Sequence, residues 1–150
     1  MTKIIYIING PNLNLLGNRE PEIYGELTLK DIENKCKKYS KNIYLDIIFK
    51  QSNIEGEIVN FIQEAGNKAS GVIINPAAYT HTSVAIHDAL KSLIIPSIEI
   101  HLSQPAKRES FRHKSLIAEV VNGTISGFGP NSYLLAMKAI DDLLKTNTES

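Results

Sequence analysis

At 150 residues the chain fits one domain of ordinary size, and a domain of that length buries roughly two-thirds of its unfolded surface. Hydrophobic residues at 43% and charged residues at 21% describe a soluble globular protein, while 16 basic residues balanced by 16 acidic ones argue against a nucleic-acid or membrane-surface partner. A single cysteine, Cys36, excludes an intramolecular disulfide and a cysteine-only metal cage, and it fits a reducing compartment.

Lys3–Ile8 reads as the first strand, built on the apolar run Ile4–Ile8. It is too short for the apolar region of a signal peptide, and no run approaches membrane-spanning length. A cytoplasmic enzyme or binding domain is therefore the expectation. The stretch Asn9–Glu26 follows, with the sequence N-G-P-N-L-N-L-L-G-N-R-E-P-E-I-Y-G-E. It is long for a connection in one domain, and such loops are commonly functional. Leu13, Leu15, Leu16 and Ile23, with three asparagines, Arg19 and Tyr24, give it packing groups, hydrogen-bond donors, a fixed cation and a phenol.

Thr28 to about Lys41 places Leu29, Ile32, Cys36 and Tyr39 on one helix face. Thr28-x-x-Asp31 resembles a capping box with Asp in place of Glu. Ile43–Phe49 reads as the second strand. Ser52-x-x-Glu55 fits the box pattern better and predicts a helix over about 54–65, with Ile54, Ile58, Phe61, Ile62 and Ala65 inward. Gly71–Ile74 is a third, short strand ending in Asn75-Pro76. A helix over about 83–93 turns Ile86, Ala89, Leu90 and Leu93 inward. Ser97–Ile100 is the fourth strand, and the polar segment 101–113 has room for a helical turn. Gly123–Ser126 is the fifth strand. The last helix spans about 131–144, with Tyr133, Met137, Ile140 and Leu144 on one face, and 146–150 is expected to fray.

Strands alternating with helices predict a single α/β domain, a doubly wound five-stranded parallel sheet with helices on both faces. Continuous apolar strands fit sheet interiors. In such sheets ligands bind beyond the carboxyl ends of the strands. A phospho-receiver would need carboxylates where this chain has Asn after strands one and three. A flavin site would need a Ser/Thr/Gly-rich loop running straight into the first helix, and a dinucleotide site the G-x-G-x-x-G fingerprint. Nucleotide cofactors are disfavoured on these grounds.

Glu99 and His101 are two apart on a strand and share a face. A carboxylate there orients an imidazole and stabilises its protonated form, which makes a general acid, although a structural contact fits the pair equally. His81 is either a site residue or a bystander at a helix entry capped by Thr82 or Ser83. The spacings of His81, His87, His101 and His113 match no compact metal-ligand motif. Arg108 and Arg112, if helical, share a face and could grip a carboxylate or the long loop; solvated charge is the plainer reading. A free phenol has a pKa of about 10. A neighbouring Arg19 would favour the phenolate of Tyr24 and make it a base; packing is the other reading.

Three long motifs then resemble one family. Asn9–Gly25, Asn75–Leu90 (N-P-A-A-Y-T-H-T-S-V-A-I-H-D-A-L), and Glu99–His113 with E-I-H-L-S followed by R-E-S-F-R-H are similar to the type II 3-dehydroquinate dehydratases. The resemblance runs in order over about residues 3–144, with the segment 28–69 contributing only pattern. It implies a flavodoxin-like fold. It also implies a lyase that dehydrates 3-dehydroquinate to 3-dehydroshikimate in the shikimate pathway of aromatic amino acid biosynthesis. The reaction would be an anti elimination through an enolate, without metal, cofactor or Schiff base. Under it, Tyr24 is the base at C2, Arg19 keeps it phenolate, and Asn12 stabilises the enolate through a water. His101, oriented by Glu99, protonates the departing C1 hydroxyl. Asn75 and the backbone N–H groups of Leu102 and Ser103 hold the substrate carboxylate, and His81 and Arg112 bind ring hydroxyls. Arg108 contacts the closed loop, and Asp88 reaches a neighbouring subunit's site in a dodecamer built from trimers. The segment at about 17–26 would be a lid and Asn9–Asn14 its fixed floor. Gln104-Pro105, Ala106-Lys107 and Asn131-Ser132 depart from the family's usual residues, outside the catalytic roles.

The elimination needs a base, an enolate stabiliser and an acid, and Tyr24, Asn12 and His101 supply them. A non-catalytic small-acid binder on the same fold is the main rival; it would keep Asn75, Ser103 and Arg112 and lose the base or the acid. A flavin electron carrier is a more distant one.

Overall fold

The computed structural model describes residues 2–18, 22 and 26–149. Five parallel strands, β1 (Lys3–Asn9), β2 (Leu45–Gln51), β3 (Gly71–Asn75), β4 (Ser97–His101) and β5 (Gly123–Ser126), form one sheet in the order β2-β1-β3-β4-β5. Four α-helices lie among the described residues: α1 (Leu29–Asn42), α2 (Glu55–Lys68), α3 (Val84–Lys91) and α4 (Asn131–Glu149). This is the flavodoxin-like, doubly wound arrangement that the sequence predicts.

The two cores follow from the period-2 alternation of the strands. Ile5, Ile7, Ile73, Ile98 and Ile100 face α1 and α4, meeting Ile32, Cys36, Tyr133, Met137 and Ile140. Tyr6, Ile8, Val72 and Ile74 face α2 and α3, meeting Ile58, Ile62, Ala65, Ile86 and Leu90. Burial pushes the Cys36 thiol up to about 12, so it packs as a small apolar group.

The helix starts separate two similar motifs. Thr28 caps α1 in a reciprocal box: Asp31 N–H donates to Thr28 Oγ1 at 3.1 Å, and Thr28 N–H donates to the Asp31 carboxylate at 3.0 Å. The box expected at Ser52 does not form. The Ser52 hydroxyl oxygen instead accepts the Ile54 N–H at 2.9 Å, its O–H donates to Glu57, and Ile54 becomes the N-cap. Ile54, expected inward, is 60% exposed as a result. The polar segment after β4 holds two short 3-10 turns, Pro105–Lys107 and Ser110–Arg112, separated by extended backbone at Arg108 and Glu109. Arg108 and Arg112 therefore do not share one helix face. Helix α4 runs past the predicted end at Leu144 to Glu149, through the stretch expected to fray.

Strand order reverses between β1 and β3, which pair in register with Asn9 opposite Asn75. The chains leaving these strands diverge, and the crevice between them is where this topology admits a ligand. Gly10 closes its floor, with its N–H donating to the Asn75 carbonyl at 2.8 Å. A Cβ at Gly10 would stand 2.4 Å from the Pro76 carbonyl oxygen, a backbone atom with no room to yield. Gly10→Ala is therefore expected to destabilise the fold by roughly 2 kcal/mol, the scale of overpacking at a rigid site. Urea denaturation would measure it; unchanged stability would mean that the two strand ends are not locked together.

Candidate active site

A pocket of about 140 Å³ opens beyond the carboxyl ends of β1, β3 and β4. Asn12 and Leu13 line it from the loop after β1, and Asn75, Ala78 and His81 from the segment after β3. His101, Leu102 and Ser103 enter from the end of β4, Arg108 from the link between the two 3-10 turns, and Arg112 from the second turn. Eight of the predicted site residues thus converge from three connections. Glu99 stands behind His101, and Asp88 lies outside this pocket on α3, exposed, with its carboxylate 3.0 Å from His87 Nδ1. Arg19 and Tyr24 lie outside the described residues.

Asn12 adopts a left-handed backbone, φ 69°, which a short amide side chain tolerates better than most residues. Its N–H donates to Asn53 Oδ1 at 2.9 Å, and the Gln51 amide donates to the Gly10 carbonyl at 3.2 Å and to Asn53 Oδ1 at 3.1 Å. The Tyr79 hydroxyl donates to the Asn53 carbonyl at 2.8 Å. The loop after β2 thereby braces the loop that carries Asn12.

The Glu99 carboxylate is 1% exposed. A buried charge is tolerated only when donors surround it. His101 Nε2 lies 2.6 Å from Oε2, the Thr80 hydroxyl donates to Oε2 at 2.8 Å, and the Ser115 hydroxyl sits 3.0 Å from both oxygens. Burial alone pushes this carboxyl up, but the bonds from His101, Thr80 and Ser115 outweigh it and hold Glu99 below its ordinary range. An ionised Glu99 has no proton to give, so His101 donates through Nε2–H. Nδ1 is then the nitrogen free to carry the transferable proton, and only the imidazolium has one there. The pair is therefore equipped to act as a general acid.

Of the two candidate caps beside His81, Ser83 is the one used. Ser83 caps α3, its hydroxyl accepting the Ile86 N–H at 2.9 Å, and His81 still lines the pocket. Its Nδ1–H donates to the Lys114 carbonyl at 2.7 Å, which leaves Nε2 as the other ring nitrogen. Arg112 is held by Glu109 and lies over the Phe111 ring, 5.1 Å from its centroid. Of the departures from the family pattern, Pro105 lines the pocket and Gln104 accepts from the Ser126 hydroxyl at 2.9 Å.

Sequence reasoning gave no role to Thr80, Ser115, Asn53 or the hydroxyl of Tyr133, and placed Asn9 only in the floor beyond the first strand. Asn9 and Asn75 are both buried, joined through Tyr133, whose O–H donates to Asn9 Oδ1 at 2.6 Å and accepts from Asn75 Nδ2 at 3.1 Å. A polar residue closing each apolar strand was the available signal for Asn9. No spacing announces the others. Among the described residues, no three His, Cys, Asp or Glu side chains gather in a group that could hold a metal ion.

Fold and site together define a flavodoxin-like α/β protein whose switch-point crevice presents an imidazole backed by a buried carboxylate. Residues 3–141 match the family model described as dehydroquinase class II. A 3-dehydroquinate dehydratase of Rhizobium johnstonii is 55% identical over 143 residues, covering 95% of this chain and 99% of its relative. One of Brucella canis is 54% identical over 145 residues, covering 97% and 92%. The crystal structure of a type II dehydroquinase from Propionibacterium acnes superimposes with a TM-score of 0.92 at 42% identity, covering 95% of this chain and 98% of that one. A 3-dehydroquinate dehydratase-like protein from Bifidobacterium longum aligns at a TM-score of 0.73 with 30% identity, covering 97% and 99%. The chain belongs to the class II dehydroquinase family, and it is an enzyme of that family.

The ionisation of Glu99 carries a stability signature. The folded protein binds this proton less tightly than the unfolded chain does. Its contribution is therefore complete above the ordinary value of 4.5 and is lost as pH falls through the lower folded value. Glu99→Gln is expected to cost about 2 kcal/mol at neutral pH, the scale of hydrogen bonds to a charged group. The gap to wild type should narrow below about pH 4.5, the ordinary value of this carboxyl. Chemical denaturation at pH 7 and at pH 4 measures both, and a gap independent of pH would mean that Glu99 is not held ionised.

Proposed function

We propose that this enzyme converts 3-dehydroquinate to 3-dehydroshikimate and water, by anti elimination through an enolate. The observation that carries the reading is the Glu99–His101 pair, with His101 lining the switch-point pocket and Glu99 buried behind it, in a chain of the class II dehydroquinase family. Its relatives' names supply the substrate.

In this mechanism the Tyr24 phenolate, stabilised by Arg19, removes the proton from C2 next to the ketone. The electron pair moves onto the ketone oxygen as an enolate, which Asn12 stabilises through a water. The enolate then collapses, the C1–O bond breaks, and the His101 imidazolium gives its proton to the departing hydroxyl, so that water leaves. Tyr24 ends as phenol and His101 as neutral imidazole, and moving one proton from the first to the second resets the site. Enolate stabilisation and general acid catalysis are both effects that grow in the transition state.

Asn75 with the N–H groups of Leu102 and Ser103 holds the substrate carboxylate, His81 and Arg112 hold ring hydroxyls, and Arg108 contacts the lid at about 17–26 that carries Arg19 and Tyr24. The exposed position of Asp88, outside its own chain's pocket, supports a role in a neighbour's site within a dodecamer of trimers. The substrate places the enzyme in the shikimate pathway, and the balanced charge and single cysteine suit a cytoplasmic location.

Ultraviolet detection of the conjugated enone on adding 3-dehydroquinate tests the reaction, and no product between about pH 6 and 9, within about two units of neutrality, would overturn it. Tyr24→Phe is expected to lower turnover at least about 100-fold while substrate still binds, the scale of a lost general base. His101→Ala should impair water loss more than solvent exchange at C2. Equal loss of both would make His101 a binding group instead.

A further inference from the structure

We propose that Tyr133 is a positioning residue that fixes the orientation of the Asn75 side-chain amide, so that Asn75 presents an N–H, rather than its oxygen, to an anionic group in the pocket. The inference rests on the reading of Asn75 as a carboxylate-binding residue.

It comes from following one chain of hydrogen bonds, donor by donor. An asparagine amide has two ends of nearly equal shape and opposite polarity, so its partners decide which end points where. The Asn9 amide donates from Nδ2 to the Lys50 carbonyl at 2.9 Å. A carbonyl can only accept, so this bond fixes Asn9 with Oδ1 toward Tyr133. Asn9 Oδ1 likewise can only accept, and it takes the Tyr133 O–H at 2.6 Å. The Tyr133 oxygen has now spent its one proton and faces Asn75 only as an acceptor. Asn75 must therefore turn its Nδ2 toward Tyr133, where the two atoms are 3.1 Å apart. Asn75 Oδ1 is held from the other side by the Ala77 N–H at 3.2 Å. Every bond in the chain donates the same way, from Asn75 at the end of β3 toward the Lys50 carbonyl of β2.

The burial of the chain gives the direction its force. Asn9 and Tyr133 are both fully buried and Asn75 is 2% exposed. Water cannot replace a lost partner cheaply at such a site. Burial also pushes the Tyr133 phenol up, so the proton that sets the direction is present at every physiological pH. Asn75 lines the pocket, whereas Tyr133 does not. One of the two Nδ2 hydrogens is committed to Tyr133, and the second is the one available to a ligand. Without the Tyr133 hydroxyl, one restraint on the amide remains. The flipped amide would then aim its oxygen at the ligand anion.

Tyr133→Phe removes one oxygen and keeps the ring. Turnover of 3-dehydroquinate by the variant is expected to show KM raised about five- to tenfold, the scale of a single lost hydrogen bond, with kcat changed less than about twofold. A merely structural role would lower the melting temperature and the active fraction without moving KM. In the Asn75→Ala background, Tyr133→Phe should leave KM unchanged, because the group it orients is gone. Asn9→Ala carries the same test from the other end of the chain and is expected to raise KM in the same way should Tyr133→Phe fail to fold. An unchanged KM in either folded single variant, or additive effects in the Tyr133→Phe, Asn75→Ala double variant, would overturn the inference. Absence of turnover by the wild type would instead overturn the proposed function.

Discussion

The buried carboxylate of Glu99 is the interaction on which the site depends. A carboxylate with 1% exposure needs donors from every side, and the fold collects them from three segments. Thr80 comes from the 3-10 turn after β3, Ser115 from the segment after the second turn of the 101–113 region, and His101 from the same strand. Those segments carry most of the pocket wall: His81 follows Thr80, its imidazole reaches the carbonyl of Lys114, and Lys114 precedes Ser115. The charge therefore organises both the acid and the shape of the cavity in front of it.

The topology supplies the cavity. Because strand order reverses at β1 and β3, their connections leave in opposite directions and part beyond Asn9 and Asn75. The two faces of the sheet are used differently at that point. On the α1 and α4 side, Asn9, Tyr133 and Asn75 form a buried polar chain under the crevice. On the other face, Glu99 and His101 form the acid. Gly10 holds the β1 and β3 ends together, and the loop after β2 braces Asn12 from outside. The ends of β1, β3 and β4 each contribute fixed groups, which is how the rigid part of this fold places several side chains around one small volume.

Much of this was legible in the sequence because it is local or periodic. Alternation of strand and helix patterns defined the sheet class. Ile32 and Cys36, or Ile86 and Leu90, declared their inward faces by spacing. The Glu99–His101 pair declared itself by lying two apart on a strand. What stayed hidden is long-range or decided by competition. Thr80 and Ser115 lie 19 and 16 residues from Glu99, and Tyr133 lies 124 residues from Asn9. Helical period showed that Tyr133 faces the core, and it carries no information about what the hydroxyl meets there. The Ser52 capping box failed because the same hydroxyl had a nearer backbone donor at Ile54 and a carboxylate at Glu57. Arg108 and Arg112 reached one pocket without sharing a helix, because two tight turns brought them there instead.

An ionised Glu99 fixes the tautomer of His101, with Nε2–H toward the carboxylate and Nδ1 left to carry the transferable proton. Long-range proton–nitrogen NMR of the ring, in protein labelled with nitrogen-15 at histidine, distinguishes the two tautomers directly. In the neutral ring, Nε2 is expected to be protonated and Nδ1 bare, with the preference lost in Glu99→Gln. A neutral ring protonated at Nδ1, or a preference that Glu99→Gln leaves untouched, would contradict it.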